Sequence, residues 1–359
     1  MASGTGLRYH LIDALRGVAA LWVTLYHAHE GRHIPHLAEA LPQFVVSIVF
    51  ELGYLGVPIF FVISGFVIAH SIIRDRVNFS YFTQFTLRRS IRLDPPYWGS
   101  IILVVGLAWL SAMVQGDVYS WPNIGDVVAH LFYAQGILGI EHINLIYWTL
   151  CLEIQFYLTF CLLVALVQNC QRYTKNGFLW VFTPVALISL LWPTDLLTRN
   201  VYQGLFFPYW YAFLLGVFAY CSWQGALPRY FFYAYVSVMF VAAVFSEYSF
   251  RMGAVVTALL VHECALRGKL NVGNVRWLQF LGLISYSLYL THGPITGASY
   301  FVLYKIMGET LLTEIVALGI TTAICIVFAF AFWWMFERWS VRLSQRIKLH
   351  RGGGLLPRQ

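Results

Sequence analysis

The chain has 359 residues, of which 59% are apolar and only 11% charged, and its mean hydropathy is +0.68. Those values exclude an ordinary water-soluble domain and indicate an all-α polytopic membrane protein. The net charge of +7 is no nucleic-acid footprint, because the basic residues fall in short loops between apolar stretches. Six cysteines (Cys151, Cys161, Cys170, Cys221, Cys264 and Cys325) are scattered without CxxC or Cys/His ligand spacing, so no metal site and no disulfide framework are expected.

The first apolar stretch, 11–29, contains LIDALRGVAALWVTLYHA. It carries Asp13 and Arg16 and runs into HAHEG without a small-x-small cleavage pattern, so a retained span is expected rather than a cleaved leader. Arg16 and His27 stand eleven residues apart. At 100° per residue they share one helix face, about 16 Å apart along the axis. A fixed cation and an imidazole inside a span are functional candidates by default. The ordinary alternative is that Arg16 pairs with Asp13 one turn away and His27 caps the helix at the interface.

The second stretch, 44–70, contains GVPIFFVISGFVI, where Pro58, Ser64 and Gly65 would permit a kink and close helix approach. FTLRRSIRLDPPYW follows. If it is helical up to a stop at Pro95–Pro96, Arg88 and Arg92 face one way with Arg89 beside them. Three guanidiniums there suit bidentate phosphate binding, with anchoring to anionic lipid as the competing explanation. The third stretch is 97–114. The segment 124–140, IGDVVAHLFYAQGILGI, is weaker and ambiguous.

Charge decides how to treat that segment. Arg74, Arg76, Arg88, Arg89 and Arg92 place the loop after the second stretch, and the N-terminus with it, in the cytoplasm. If 124–140 crossed the bilayer, Arg172 and Lys175 would fall outside and every later loop would invert. If it is re-entrant or interfacial, Arg172/Lys175, Arg229, Arg267/Lys269/Arg276 and the basic tail from Arg338 to Arg351 all fall inside. The second arrangement gives about ten transmembrane helices with both termini cytoplasmic, and outer loops at 30–43, 115–145, 193–203, 247–250 and 305–312. Residues 1–340 form one membrane-embedded domain, and 341–359 a basic, flexible tail.

The fourth stretch, 146–168, enters through YWTLCLEIQFYL and puts Glu153 roughly 10 Å below the outer surface. Thr149, Glu153 and Tyr157 recur at four-residue spacing as one polar stripe. A carboxylate there seeks a cation or an imidazole, and depth matches it to His27; a structural pair with another helix is the alternative. Stretches at 178–192, 204–223, 230–246 and 251–266 carry no comparable cluster. The ninth, 277–304, contains LISYSLYLTHGPI, where Ser285, Tyr289 and His292 share a face at i, i+4 and i+7 as the lining of a cavity, with Pro294 just beyond. The tenth, 313–336, ends at Glu337 and Arg338, read as an interfacial pair.

Taken in order, Arg16 with ten residues to His27, GVPIFFVISGF, RRSIRLDPPYW, YWTLCLEIQFYL and ISYSLYLTH make the chain resemble the membrane-bound acyltransferase 3 family from about residue 8 to 340. The resemblance implies an inner-membrane O-acyltransferase that takes an acyl group, often acetyl, from acetyl-CoA or another acyl-CoA. It passes that group to a hydroxyl of a surface glycan such as lipopolysaccharide O-antigen or exopolysaccharide. It further implies His27 as the catalytic histidine with Arg16 as its motif partner, a donor-binding role for Arg88, Arg89 and Arg92, and recurrent motif positions for Glu153 and His292. Members often carry an arginine shortly before an aromatic-x-x-Gly in a later helix; here Tyr209 and Trp210 stand there. In the mechanism these residues allow, the arginines hold the donor phosphates, Arg16 continues the cationic path, and the arm threads between helices to His27. His27 then acts as base, oriented by Glu153, with Ser64, Tyr157, Tyr289, Ser285 and His292 lining the pocket. A covalent acyl-histidine is a second route. The expected partners are membrane lipid, the acyl-CoA and a glycan or lipid-linked glycan acceptor, and no metal is called for. A macrolide or other secondary metabolite is the alternative acceptor. A proton-coupled transporter or flippase with His27, Glu153 and His292 as relay is the competing class.

Overall fold

In a chain this poor in polar side chains, a helix is the element that satisfies its own backbone without water, and the long apolar stretches are helical. The computed structural model describes residues 9–197, 204–245, 249–349 and 354–355, and no strand occurs among the described residues. The helices are α1 His10–Glu30, α2 Pro35–Ala40, α3 Gln43–Val49, α4 Gly56–Ile72, α5 Phe79–Gln115, α6 Ile124–Leu131 and α7 Tyr147–Cys170. They continue as α8 Gly177–Ser189, α9 Trp210–Trp223, α10 Arg229–Val244, α11 Ser249–Leu266, α12 Arg276–Met307, α13 Leu311–Phe332 and α14 Arg338–Ser344. A π-helical turn, Trp333–Glu337, joins the last two. Among the described residues, five helical segments are long and apolar enough to cross a membrane: Gln43–Ile72, Phe79–Gln115, Tyr147–Cys170, Ser249–Leu266 and Leu311–Ser344. Helices α8 and α10 are apolar but shorter.

Two helices depart from expectation for identifiable reasons. The stretch 44–70 is not one helix. It breaks over the 3-10 turn Glu51–Leu55, where Gly53 lies so close to α1 that a Cβ would stand 2.4 Å from the Trp22 carbonyl oxygen. Pro58 therefore sits in the first turn of α4, where its missing N–H costs nothing, rather than at a kink. The stop expected at Pro95–Pro96 is absent, and α5 runs through both prolines. Pro96 cannot donate to the Arg92 carbonyl, and the Ser340 hydroxyl of α14 donates to it instead at 3.0 Å. The Tyr286 hydroxyl reaches the neighbouring Leu93 carbonyl at 3.1 Å.

Close crossings fix the register of the bundle. Gly65 on α4 and Gly216 on α9 face each other's backbones; a Cβ on either would lie 1.9 Å from a carbonyl oxygen, that of Phe213 or Val62. Gly17 and Gly282 bring α1 and α12 together, with Gly17 against Leu281 and Gly282, and Gly282 against Asp13. These two helices run parallel, since His10 meets Gln279 at one end and His27 meets His292 towards the other. Helix α4 runs antiparallel to α1, because Gly53 touches Trp22 while His70 packs against Tyr9.

The segment 124–140 folds as the eight-residue α6 followed by a loop. At 1.5 Å per residue α6 rises about 12 Å, too short to cross a bilayer. The expected flexible tail begins in α14, and the Leu355 amide bonds the Ile73 carbonyl at 2.8 Å. Residues 350–353 and 356–359 of that tail, 198–203 of the loop 193–203, and 247–248 of the loop 247–250 together with 246 lie outside the described residues.

Candidate active site

A narrow cavity opens among α1, α4, α5, α7 and α12 and the π-turn that follows α13. One end gathers the guanidiniums of Arg16, Arg89 and Arg92 with the carboxylates of Glu153 and Glu337. Its walls are Val57, Phe60, Phe61, Ile63, Val67, Leu93 and Leu150, and its remaining polar lining is Ser64, Thr149, Tyr157, Tyr286 and Tyr289. Three cations against two carboxylates leave one net positive charge over a largely apolar shaft, a donor set suited to an anion with an apolar extension.

The arginines are presented by the unbroken α5. Arg89 and Arg92, at i and i+3, face the cavity, whereas Arg88 is not among its lining residues. The Arg89 guanidinium lies over the Tyr157 ring, 4.8 Å from its centre, and 5.5 Å from that of Phe85, within cation–π range of both. Tyr157 in turn donates to Glu153 through a short contact, and the Ser64 hydroxyl donates to the same oxygen at 2.5 Å. The stripe Thr149–Glu153–Tyr157 thus lines the cavity as its spacing predicts. Its partners differ from the expected one, since Glu153 bonds Ser64 and Tyr157, not His27. Glu153 and Tyr157 lie on the turns of α7 nearer the arginines. Thr149, one turn the other way, meets the Tyr289 hydroxyl at 2.7 Å.

Beyond Tyr289 lie the histidines. The rings of His27 and His292 are 5.1 Å apart between centres and inclined by 38°, and Tyr289 stands 5.8 Å from His292. His292 is fully buried, and its Nδ1 lies 2.8 Å from the Tyr289 carbonyl and 3.1 Å from that of Leu288. Carbonyls only accept, so Nδ1 carries the hydrogen and the lone pair of neutral His292 is on Nε2. That Nε2 is buried and makes no hydrogen bond among the described residues. Neither histidine lines the cavity itself; Tyr289 separates them from it. Ser285, expected on the cavity with Tyr289 and His292, is fully buried and donates back to the Gly282 carbonyl at 2.9 Å.

Glu337 was expected at an interface with Arg338. The π-turn instead carries it inward, where it is 7% exposed, accepts from Ser287 at 2.6 Å and shares the cavity with Arg16 and Arg92. Such turns recur at functional sites because one extra residue re-aims a side chain. Nothing in WWMFERW signals the turn. A second buried charge, Arg251, was also missed. It grips Asp195 through two nitrogens at 2.8 and 3.4 Å, and neither residue lines the cavity. No cluster of three or more potential metal ligands occurs among the described residues.

Comparison with known proteins places this geometry. A family model described as an acyltransferase domain matches residues 9–334. The chain is 27% identical over 325 residues to a Komagataeibacter xylinus protein named as a membrane-bound transacylase, covering 83% of this chain and 75% of that one. It is 28% identical over 201 residues to a Staphylococcus aureus protein named as an O-acetyltransferase, covering 50% of this chain but only 28% of that longer relative. Nodulation protein 10 of Rhizobium leguminosarum is 27% identical over 191 residues, 47% of each chain. No solved structure matches. The family match spans the helices that carry the arginines, Glu153 and the histidine pair and stops short of Glu337, and the chain belongs to the acyltransferase 3 family of membrane acyltransferases.

Proposed function

We propose that this membrane acyltransferase moves an acetyl or other short acyl group from cytoplasmic acyl-CoA to a hydroxyl of a cell-surface glycan. The single observation that carries the reading is the polarity of the site. Guanidiniums gather at one end of an apolar shaft, and a histidine pair stands just past the other. Coenzyme A has the matching polarity, with a polyanionic nucleotide at one end and a thioester at the end of a thin arm. The rise of about 16 Å from Arg16 to His27 along α1 is on the order of half a bilayer.

In this reading the chain crosses the inner membrane ten times with both termini in the cytoplasm, in contact with membrane lipid. Arg89, Arg92 and Arg16 bind the donor phosphates, and Arg88 adds charge at the mouth. Glu153 and Glu337 hold the guanidiniums in place, while Ser64, Tyr157 and Tyr289 shape the shaft. His27 takes the proton of the acceptor hydroxyl, since imidazole titrates near neutrality. His292, whose ring centre lies 5.1 Å from that of His27, takes the orienting role expected of Glu153. The names of the relatives, a transacylase and an O-acetyltransferase, support transfer to oxygen.

The test is direct. Purified protein in liposomes is given radiolabelled acetyl-CoA and a lipid-linked glycan, and both free thiol and labelled glycan are followed. Transfer is expected, and His27→Ala should lower it by about 10²–10⁴-fold while the protein stays folded. Thiol release by His27→Ala at the wild-type rate would overturn the assignment, and no acetyl-CoA turnover by the wild type would overturn the reaction.

A further inference from the structure

The shaft that would hold the donor arm stops short of the histidine it would serve. Along α7 its lining runs from Tyr157 to Thr149, a rise of about 12 Å, whereas Arg16 and His27 are about 16 Å apart along α1. What closes it is the phenol of Tyr289. That ring lies 5.6 Å from the ring of Phe60, which lines the shaft, and 5.8 Å from that of His292 on the other side. Its hydroxyl is tied across to α7. It stands 2.7 Å from the Thr149 hydroxyl and 3.3 Å from the Ile146 carbonyl, which Thr149 also reaches at 3.0 Å. One hydroxyl donates to the carbonyl and the other donates to its neighbour, so both are satisfied. Past the phenol, His292 Nε2 is buried and makes no hydrogen bond among the described residues.

A plug held by one tie between helices is easily released. A hydrogen bond of that kind shifts an open–closed equilibrium by only about 3- to 20-fold. Pro294, just past the phenol, also leaves the Leu290 carbonyl without its helical donor, so α12 lacks a backbone bond close to where the ring must swing. We propose that Tyr289 is the gate of the donor shaft, closed while tied to Thr149 and the Ile146 carbonyl and open when its ring turns aside; this rests on the acyl-transfer reading above. Ile146 caps α7 where the loop after α6 ends, on the side from which the acceptor arrives in that reading. A glycan that displaces this loop frees the phenol, and the thioester passes to His27 with a hydroxyl already present. Without an acceptor the closed gate keeps hydrolysis slow. In that side reaction a water oxygen bonds to the thioester carbon, and the C–S bond breaks to give acetate and the free thiol. Tyr289 is thus a positioning residue, acting through what it admits to His27.

The experiment uses the full-length protein in liposomes with acetyl-CoA, in the presence and absence of a lipid-linked glycan, and follows free thiol and acetylated glycan. Tyr289→Phe keeps the ring and cuts the tie. Thr149 retains the Ile146 carbonyl at 3.0 Å, so no buried group is stranded and the variant should fold. Its acceptor-free thiol release should rise by about 3- to 20-fold, with donor KM nearly unchanged because the arginines stand at the other end of the shaft. Tyr289→Ala removes the plug itself and should raise that release further, so that a smaller share of the acyl groups reaches the glycan. A merely structural role would lower hydrolysis and transfer together. That joint fall in Tyr289→Phe, or acceptor-free release at the wild-type level, would overturn the gate while leaving the acyl-transfer reading intact. A wild-type protein that never consumes acetyl-CoA would instead sink that reading.

Discussion

Neutralising the arginines one at a time tests whether the guanidinium end of the cavity holds the donor. Arg89 and Arg92 line the cavity and Arg88, between them and the start of α5, does not. A charge-assisted hydrogen bond to phosphate contributes about 1.5–3 kcal/mol, and about 1.4 kcal/mol is tenfold in affinity. Arg89→Gln and Arg92→Gln should therefore each raise the acetyl-CoA KM by roughly ten- to a hundred-fold, and Arg88→Gln by much less. Because α1 separates Arg16 from His27 by about 16 Å, kcat at saturating donor should change little. Arg89→Lys is the sharper variant. It keeps the charge but loses the guanidinium that lies over the Tyr157 ring at 4.8 Å, and should fall between wild type and Arg89→Gln. The assay is thiol release against acetyl-CoA concentration, with acceptor held saturating. Equal effects of all three glutamine substitutions would show a diffuse surface field, and an unchanged donor KM in Arg92→Gln would refute phosphate binding here.

Three further outcomes are expected. Gly216→Ala places a Cβ 1.9 Å from the Val62 oxygen and should lower thermal stability in detergent by about 1–3 kcal/mol or more, while Gly106→Ala, with nothing within 4 Å, should not; equal melting of the two would discount the α4–α9 crossing. Ser340→Ala strips the Arg92 carbonyl of its donor at about 1 kcal/mol, and Pro96→Ala in the same chain should restore most of it by returning a backbone N–H, so strict additivity of the two changes would disprove the substitution of one donor by the other. Near the far end of α1, the hydrogen bond and charge of Glu314 hold His36 above its ordinary histidine pKa. The folded state thus favours the protonated ring, whose stabilisation is complete below the ordinary value and lost as pH rises through the raised one. The melting difference between wild type and His36→Gln should accordingly shrink as the pH rises above the ordinary histidine value of about 6.5, and a constant or growing difference would contradict the pairing.

The apolar stretches were legible because membrane helices declare themselves by length and composition, and all are largely helical, with 44–70 broken over the turn Glu51–Leu55. The polar stripe on α7 was legible because i, i+4 spacing survives any packing, and so was the Arg16–His27 face of α1. What spacing could not supply is which stripe meets which. Glu153 and His27 share a predicted depth, but depth is one coordinate of three, and the carboxylate turned to Ser64 and Tyr157. The helix through Pro95–Pro96 was hidden because its substitute donor, Ser340, lies 248 residues from Arg92. Glu337 was misplaced for a local reason: a 3.6-residue period puts it at the helix end facing out, and one π-turn rotates it into the cavity.

The distribution of polarity explains why stability and site cannot be separated in this protein. Large apolar side chains such as Ile102 and Val327 cover the outside, 75% and 68% exposed, while His292 and Glu337 lie within. Lipid is as apolar as leucine, so little hydrophobic force draws one helix to another. Close packing at Gly65/Gly216 and Gly17/Gly282 and hydrogen bonds between helices must do so. Such bonds contribute only about 0.6 kcal/mol on average and up to about 1.7 kcal/mol. Three of them, Ser64 to Glu153, Thr149 to Tyr289 and Ser287 to Glu337, join segments and each holds at least one side chain that lines the cavity. Each is weak enough to lose without unfolding the bundle, yet each fixes a side chain that faces the shaft. Substitutions at these positions should therefore be felt first in activity and only secondarily in melting temperature.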